Sequence, residues 1–463
     1  MGALLAFAFA PFNFFPIFFF VIPVLYHTLE KKESINHMFL IGFFFCTGLN
    51  IIHFSWGVYL AQNHFVGIFK NEFIVVCSSI FSTFLFLFPT QLLFGLFFVL
   101  YGFLKNFNFL PSSAHPYLFG AILLLCEFFF GFPYENGFPW FKFGYALSNT
   151  LIIAQIAAVG GIFLLSLFII TCSCLLIRPS KPSVLLFIVL FLSAISFGSF
   201  RLINTKTSFE PKKPIRLVQA QIPANFVLKN SNKIKSINQY LMLSKDPSKY
   251  NEALTIWPEM SVPVLIKEEK AILKHIHNSA NPEILIGTID RAFDKKSNKY
   301  LFFNAAALIN KQTTLVPIVH KNYLVPFAEY SPCSSIFPKL SRKILGNRDY
   351  FNFGKTGKIL KSNIAGDIII LNCYEVLFPH LTKMYSKESD AIINISNDAY
   401  FAGTFADSQI LAISRIRAIE TNLPLIRATN KGINAMFDGY GRILLFKKSD
   451  IPEVYEFLLP NKI

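Results

Sequence analysis

Polar positions divide this chain into two textures. Up to about Phe200 they are sparse, and the apolar runs between them approach the roughly 20 residues an α-helix needs to cross a bilayer. Such runs are Phe14 to His27, His37 to Leu60, Phe73 to Leu104, Pro116 to Phe132, Ala154 to Ile177 and Ser183 to Phe200. The first is short and contains Pro16 and Pro23, whereas Phe73 to Leu104 is long enough to tilt or to kink at Pro89. Met1 to Ala10 is apolar but too short to span. It reads as the remnant of a first helix or the apolar part of a signal peptide, without the basic start a signal peptide wants. From Ile215 the runs shorten into β-branched stretches alternating with amphipathic ones, the pattern of a layered α/β domain. Strands are expected at Arg216 to Gln221, Leu254 to Trp257, Ile284 to Ile289, Leu301 to Ile309, Thr314 to His320, Asp367 to Asn372, Ala391 to Ser396, Leu425 to Thr429 and Asn434 to Phe437. Helices are expected near Asn232 to Leu243, Ile266 to His277, Tyr374 to Met384 and Ala406 to Thr421, with a hairpin turn at Asp438-Gly439-Tyr440-Gly441. The division is then a transmembrane helical domain over 1–200, a linker over 201–214 and an extracytoplasmic α/β domain over 215–463.

Composition sharpens the membrane assignment: 53% of residues are hydrophobic and 55 are Phe, too apolar for an ordinary soluble protein. The net charge of +16 could indicate nucleic acid, but the basic residues are dispersed and no nucleic-acid motif accompanies them. Loop topology and attraction to anionic membrane lipid account for that charge, and no nucleic-acid partner is expected. Lys31 and Lys32, then Lys105, then Arg178 and Lys181 fall in every second loop, which places those loops in the cytoplasm. The chain after Phe200 is then expected outside the cytoplasm, at the outer face of the inner membrane. Of seven cysteines, Cys46, Cys77, Cys126, Cys172 and Cys174 lie in apolar runs, leaving Cys333 and Cys373 in the polar half. No disulfide framework or paired CxxC pattern is present. His275 and His277 diverge on a helix and have no third ligand nearby in the sequence, so no metal or other cofactor is expected. The pair Gly160-Gly161 reads as close helix packing.

Three strand ends in the α/β half deliver an ionisable residue into a loop marked by Pro or Gly. Leu254-Thr255-Ile256-Trp257-Pro258-Glu259 offers a carboxylate, the stretch from Val319-His320-Lys321 to Pro326-Phe327 an amine, and Asn372-Cys373-Tyr374-Glu375 a thiol. Together they form a set in which a carboxylate takes the thiol proton while a lysine holds the developing oxyanion. Residues Tyr374 to Met384 can continue as a helix, so Cys373 is expected at a strand-to-helix corner whose positive end favours thiolate. Taken singly, Lys321 reads as a solvated surface charge, Glu259 as a loop acid or helix-start residue and Cys373 as a buried structural cysteine.

These three segments, in this order, resemble the nitrilase, or carbon-nitrogen hydrolase, superfamily. Leu324-Val325-Pro326-Phe327-Ala328-Glu329-Tyr330, Asn394-Ile395-Ser396-Asn397-Asp398-Ala399-Tyr400-Phe401 and Arg427-Ala428-Thr429-Asn430-Lys431-Gly432-Ile433 are similar to its apolipoprotein N-acyltransferase family in particular. In the membrane half, Gly137-Phe138-Pro139-Trp140 with Phe143-Gly144-Tyr145 resembles that family's outward loop. The resemblance implies a multi-pass α-helical membrane domain plus a nitrilase-like α-β-β-α sandwich. It also implies a ping-pong reaction in which Cys373 takes an acyl chain from phospholipid and passes it to the amine of a diacylglyceryl apolipoprotein. By the same resemblance Glu259 is the base, Lys321 the oxyanion stabiliser and Cys373 the nucleophile. Glu329, Tyr374 and Glu375 would support the site, with a structural ion pair the alternative role for the two glutamates.

The sequence departs from that family in four places. The family commonly ends in a further membrane helix, where this sequence runs to Leu458-Leu459-Pro460-Asn461-Lys462-Ile463, and the first helix is curtailed. Leu228 falls where a Trp is usual, and Ile410 follows Gln409 where a His is common. These differences bear on substrate docking and anchoring rather than on the three reactive residues. A membrane-tethered amidase with water as acceptor, or an inactive membrane scaffold, are the competing functions.

Overall fold

The computed structural model describes residues 1–31, 34–65, 69–106, 110–131, 137–204, 213–223, 230–246, 248–250, 252–278, 282–310, 317–326, 328–330, 351–355 and 357–462. The chain forms two compact units. One comprises Met1–Thr205 with Gly403–Ile416, the other Lys206–Ala402 with Arg417–Ile463.

The first unit is helical: α1 (Gly2–Ala6), α2 (Phe18–Glu30), α3 (Ile35–His53), α4 (Trp56–Phe65), α5 (Glu72–Lys105), α6 (His115–Phe129), α7 (Leu151–Ala154), α8 (Ala157–Leu175) and α9 (Lys181–Ile203). Among the described residues, five segments are long and apolar enough to cross a membrane: Ile35–His53, Glu72–Lys105, Ser112–Phe129, Ala157–Leu175 and Lys181–Ile203. The run expected as one span from His37 to Leu60 breaks after His53, and α4 starts afresh at Trp56. The reason lies in a distant segment of the same unit. Gln409 Oε1 accepts from Trp56 Nε1 at 3.1 Å and from Trp140 Nε1 at 2.8 Å, while its amide donates to the His53 carbonyl at 2.8 Å. A chain turn there gives two indoles and a freed helix-end carbonyl a common partner. Small residues set the packing of α3 on α5, since a Cβ at Gly42 would come within 2.5 Å of the Phe94 carbonyl oxygen. Gly161, expected to serve close packing, has φ 68° and kinks α8. One end of the unit is tied by Glu30, which accepts from Tyr101 at 2.8 Å and pairs with His115 at 3.3 Å and Arg178 at 3.5 Å.

The second unit is a two-sheet sandwich between helical layers, the α-β-β-α arrangement. Its first sheet contains β1 (Lys213–Gln219), β2 (Leu254–Ile256), β3 (Val262–Leu265), β4 (Glu283–Asp294), β5 (Lys299–Asn310), β6 (Ile318–His320) and β13 (Glu453–Leu459), ordered β13-β1-β2-β4-β5-β6 with β3 beside β4. The second contains β7 (Ile359–Ser362), β8 (Gly366–Asn372), β9 (Ala391–Ser396), β10 (Leu425–Thr429), β11 (Ile433–Phe437) and β12 (Ile443–Lys448), ordered β12-β11-β10-β9-β8-β7. Alternation along each strand sends one set of side chains between the sheets, where Leu217, Ile256 and Leu308 meet Ile368, Ile370, Ile393 and Ile426. The other face of the first sheet buries Trp257, Ile284 and Ile286 with Ile237 and Tyr240 of α10 (Asn230–Leu243) and Ile276 of α11 (Lys270–His277). Parallel pairs β8–β9 and β9–β10 require crossovers, supplied by α12 (Pro379–Tyr385) and α13 (Phe405–Thr421). Four strands lie outside the sequence expectation: β3, β7, β12 and β13. β13 alternates Val454, Tyr455, Glu456 and Phe457 and pairs antiparallel with all of β1, from Lys213↔Leu459 to Gln219↔Glu453.

Candidate active site

The loop after β2 carries Glu259, and it lies against β4 because Gly287 has no side chain there. A Cβ on Gly287 would sit 2.5 Å from the Glu259 Cα. The Lys321 backbone N donates to the Asn304 carbonyl of β5 at 2.8 Å, which fixes the turn out of β6. The Lys321 side chain, only 1% exposed, then reaches Glu259 Oε1 at 2.9 Å and Glu329 Oε2 at 2.8 Å. Asn304 closes the ring: its Nδ2 donates to Glu259 Oε1 at 2.8 Å and to Glu329 Oε1 at 2.7 Å. The remaining positions are filled by backbone, with Val325 N on Glu329 Oε2 at 2.8 Å and Asn397 N on Glu259 Oε2 at 3.0 Å. Burial acts to lower the pKa of the Lys321 ammonium, but Glu259, Glu329 and Cys373 outweigh it and hold it well above its ordinary value.

Cys373 directly follows β8 with φ 49°, a left-handed conformation uncommon outside glycine. The helix expected to follow it does not form. Residues Cys373–Leu377 make a 3-10 turn, Phe378 is extended, and helix resumes only over Pro379–Tyr385. Five residues of 3-10 turn align few peptide dipoles, so the thiolate stabilisation expected from a helix end is not available. Burial instead pushes the Cys373 thiol up, and Glu259 and Asp398 add to that shift. Lys321 and a hydrogen bond with Ser396 oppose it. The resting group is therefore a thiol that reacts only if its proton is taken, and the adjoining carboxylates are where that proton can go.

Behind Cys373, a second buried charge pair was not singled out from sequence. Arg427 of β10 donates to Asp398 and to Asn394 Oδ1. Asn394 Nδ2 in turn donates to the Cys373 carbonyl at 3.1 Å, and Ser396 donates to Asp398 Oδ1 at 2.5 Å. Glu375 and Lys358, both 0% exposed, form another pair at 2.7 Å. Glu375 also accepts from the backbone N of Asn322 at 2.6 Å, Tyr323 at 3.3 Å and Asn372 at 2.8 Å. Tyr374 is buried with its ring edge-on to Phe378 at 5.4 Å. Glu259, Lys321, Glu329 and Cys373 are thus brought together, with Glu375 linking their loops. Asn304, Asp398, Arg427 and Lys358 lacked an assigned role, although an amide or charge inside an apolar strand, as at Asn304 and Arg427, is a signal that a partner must exist. Cys333 and Leu228 lie outside the described residues. Ile410 is buried in the helical unit. Among the described residues, no three His, Cys, Asp or Glu side chains gather as a metal site.

Comparison with known proteins matches residues 215–450 to the carbon-nitrogen hydrolase family and residues 1–175 to the apolipoprotein N-acyltransferase N-terminal domain. The apolipoprotein N-acyltransferase of Allorhizobium ampelinum is 30% identical over 319 residues, covering 66% of this chain and 60% of that protein. That of Rickettsia typhi is 31% identical, covering 71% and 67%, and that of Rhodopseudomonas palustris 26% identical, covering 96% and 85%. The match to the Allorhizobium protein therefore spans less than two thirds of that relative's length.

Proposed function

We infer that this chain, which belongs to the carbon-nitrogen hydrolase superfamily and within it to the apolipoprotein N-acyltransferase family, moves an acyl chain from phospholipid to an apolipoprotein through a thioester on Cys373. The acceptor is the amine of the N-terminal diacylglyceryl-cysteine. One observation carries the chemistry: a buried ammonium shared by the buried Glu259 and the half-buried Glu329, beside a thiol whose pKa burial raises.

Glu259 takes the proton from Cys373 Sγ, and the sulfur attacks the ester carbonyl of the phospholipid. Lys321 stabilises the oxyanion; collapse breaks the ester C–O bond, and Glu259 returns its proton to the departing lysophospholipid oxygen. In the second half the amine attacks the thioester and Glu259 takes an N–H proton. The C–S bond breaks, and the proton goes back to sulfur. Glu259 Oε1 is occupied by Lys321 and Asn304, so the proton is received at Oε2, which among the described residues carries the Asn397 N–H. Splitting the transfer lets the first product leave before a second bulky substrate enters. The α/β unit faces the periplasm and the protein is embedded in the inner membrane, a reading supported by the alternation of Lys31, Lys105 and Arg178 loops.

The test is intact-mass measurement after incubation with phospholipid and no amine. One added acyl group, released by hydroxylamine and absent from Cys373→Ala, is expected. Transfer to amine without any covalent intermediate would falsify the mechanism, and free fatty acid as the sole product would make the protein a hydrolase. Alkaline phosphatase fused after Ile463 should be active; a silent fusion would reverse the topology.

A further inference from the structure

The Lys358–Glu375 pair joins two loops that are far apart in sequence. Lys358 Nζ donates to the His320 carbonyl at 2.7 Å and to Glu375 Oε2 at 2.9 Å. On its other side Glu375 receives Asn322 N and Tyr323 N from the loop that bears Lys321, and Asn372 N from the residue before Cys373. Backbone contacts tighten the same junction, with Gly354 N on the Lys321 carbonyl and Ile370 N on the Lys358 carbonyl, each at 2.8 Å. A Cβ on Gly354 would come within 2.8 Å of that same Lys321 oxygen, so the chain at Gly354, shortly before Lys358, lies directly against the lysine loop. The pair is fully buried. A carboxylate with three backbone donors and one ammonium has its charge and its lone pairs matched, which makes the junction stiff rather than reactive.

We propose that Lys358 is a positioning residue: by neutralising Glu375 and holding the His320 carbonyl, it fixes the loop of Lys321 against the loop of Cys373 and so sets the ammonium-to-sulfur geometry of the reaction. The proposal rests on Cys373 as nucleophile. Removal of the Lys358 ammonium leaves the buried Glu375 carboxylate without its cation, and both loops shift to relieve it. A misplacement of about 1 Å costs on the order of a hundredfold in rate. Because the pair touches no solvent-facing surface, it alters the maximal rate and not the lipid concentration at half saturation.

Thioester formation on the full chain, followed by intact mass against phospholipid vesicle concentration, tests this. Lys358→Met is expected to lower the maximal rate about a hundredfold with half saturation unchanged. The double variant Lys358→Met/Glu375→Gln, which discharges both partners, is expected to regain at least about tenfold over the single one, since contacting groups couple. A merely bulky, space-filling Lys358 gives no such recovery. A wild-type rate in Lys358→Met, a fall confined to half saturation, or a double variant no better than the single overturns the proposal. Should Lys358→Met fail to accumulate, Lys358→Gln decides, because its amide can still donate to the His320 carbonyl. Loss of maximal rate there supports the proposal, and a wild-type rate overturns it. Cys373→Ala runs alongside: an adduct on that variant overturns the nucleophile assignment and this proposal with it, whereas a dead Cys373→Ala beside a fully active Lys358→Met defeats this proposal alone.

Discussion

Lys321 and Lys358 are equally buried ammoniums in one fold, and their surroundings are balanced in opposite ways. Lys358 faces a single carboxylate whose oxygens are otherwise filled by three backbone N–H groups. Burial prevails there, and the Lys358 pKa is drawn below its ordinary value despite Glu375. Lys321 faces two carboxylates, Glu259 and Glu329, held apart by Asn304, and its pKa is driven well above the ordinary value. Burial by itself does not separate a structural tie from a reactive site. The difference is one surplus carboxylate charge, which leaves Glu259 with capacity for a proton next to a thiol that has one to give.

The strongest test of that contrast is Lys321→Arg. A planar guanidinium cannot place its charge where a compact ammonium sits between two carboxylates. Loss of one oxyanion donor typically costs about a hundredfold to a thousandfold, and that is the fall expected in thioester formation. Near-wild-type turnover would remove Lys321 from the site. Glu329→Gln asks about the surplus charge itself, because it leaves Lys321 with Glu259 alone, a one-to-one pair like that of Lys358. Charged hydrogen bonds contribute about 1.5–3 kcal/mol, so a tenfold to hundredfold loss of acylation rate is expected on the order of that figure. An unchanged rate would mean that the surplus has no bearing on reactivity.

A pH series sharpens the comparison at the sulfur. The folded protein favours the thiol, so thiolate is scarce at neutral pH and grows as pH rises, with its midpoint above the ordinary value of 9.0. In a Cys77→Ser/Cys333→Ser background, alkylation of Cys373 by iodoacetamide should climb about tenfold per pH unit from neutrality through that value, with no plateau below it. A plateau at or below neutral pH would show that Lys321 outweighs burial and the two carboxylates. The smallest effect is expected in the helical unit, where polar groups tie helices instead of driving chemistry. Trp56→Phe removes one donor from Gln409 and leaves Trp140 in place. Thermal unfolding in detergent should report a loss of about 1 kcal/mol, and a loss several times larger would mean that the Gln409 junction holds more than a single hydrogen bond.

Several of these features were legible in the order of residues. The β8 run Ile368 to Leu371 is β-branched and apolar because both its faces are covered, and its abrupt end at Asn372-Cys373 marks a strand delivering a side chain to a loop. The ends of β2 and β6 were readable in the same way, and layered α/β topology then gathers such ends at one edge. The helical unit was legible as spans because length and apolarity are local properties, yet the break between α3 and α4 was not, since nothing in the run His37 to Leu60 interrupts it. That break answers to Gln409, 353 positions away from Trp56. β12 and β13 were missed for a related reason: their exposed or alternating residues become strands by pairing with β11 and β1.

By itself the sequence determined the two-part architecture, the multi-pass helical half, and the carboxylate, amine and thiol at three strand ends, because side-chain period and apolar length are properties of neighbours along the chain. Only the tertiary structure decided that Lys358, which in sequence looks like one more lysine of a polar stretch, is fully buried against Glu375, and that burial with Glu259 and Asp398 pushes the Cys373 thiol up. Charge balance at a buried point is a sum over groups from distant segments, here Glu259, Lys321, Ser396 and Asp398 around one sulfur, and its sign does not exist until folding has removed the water between them.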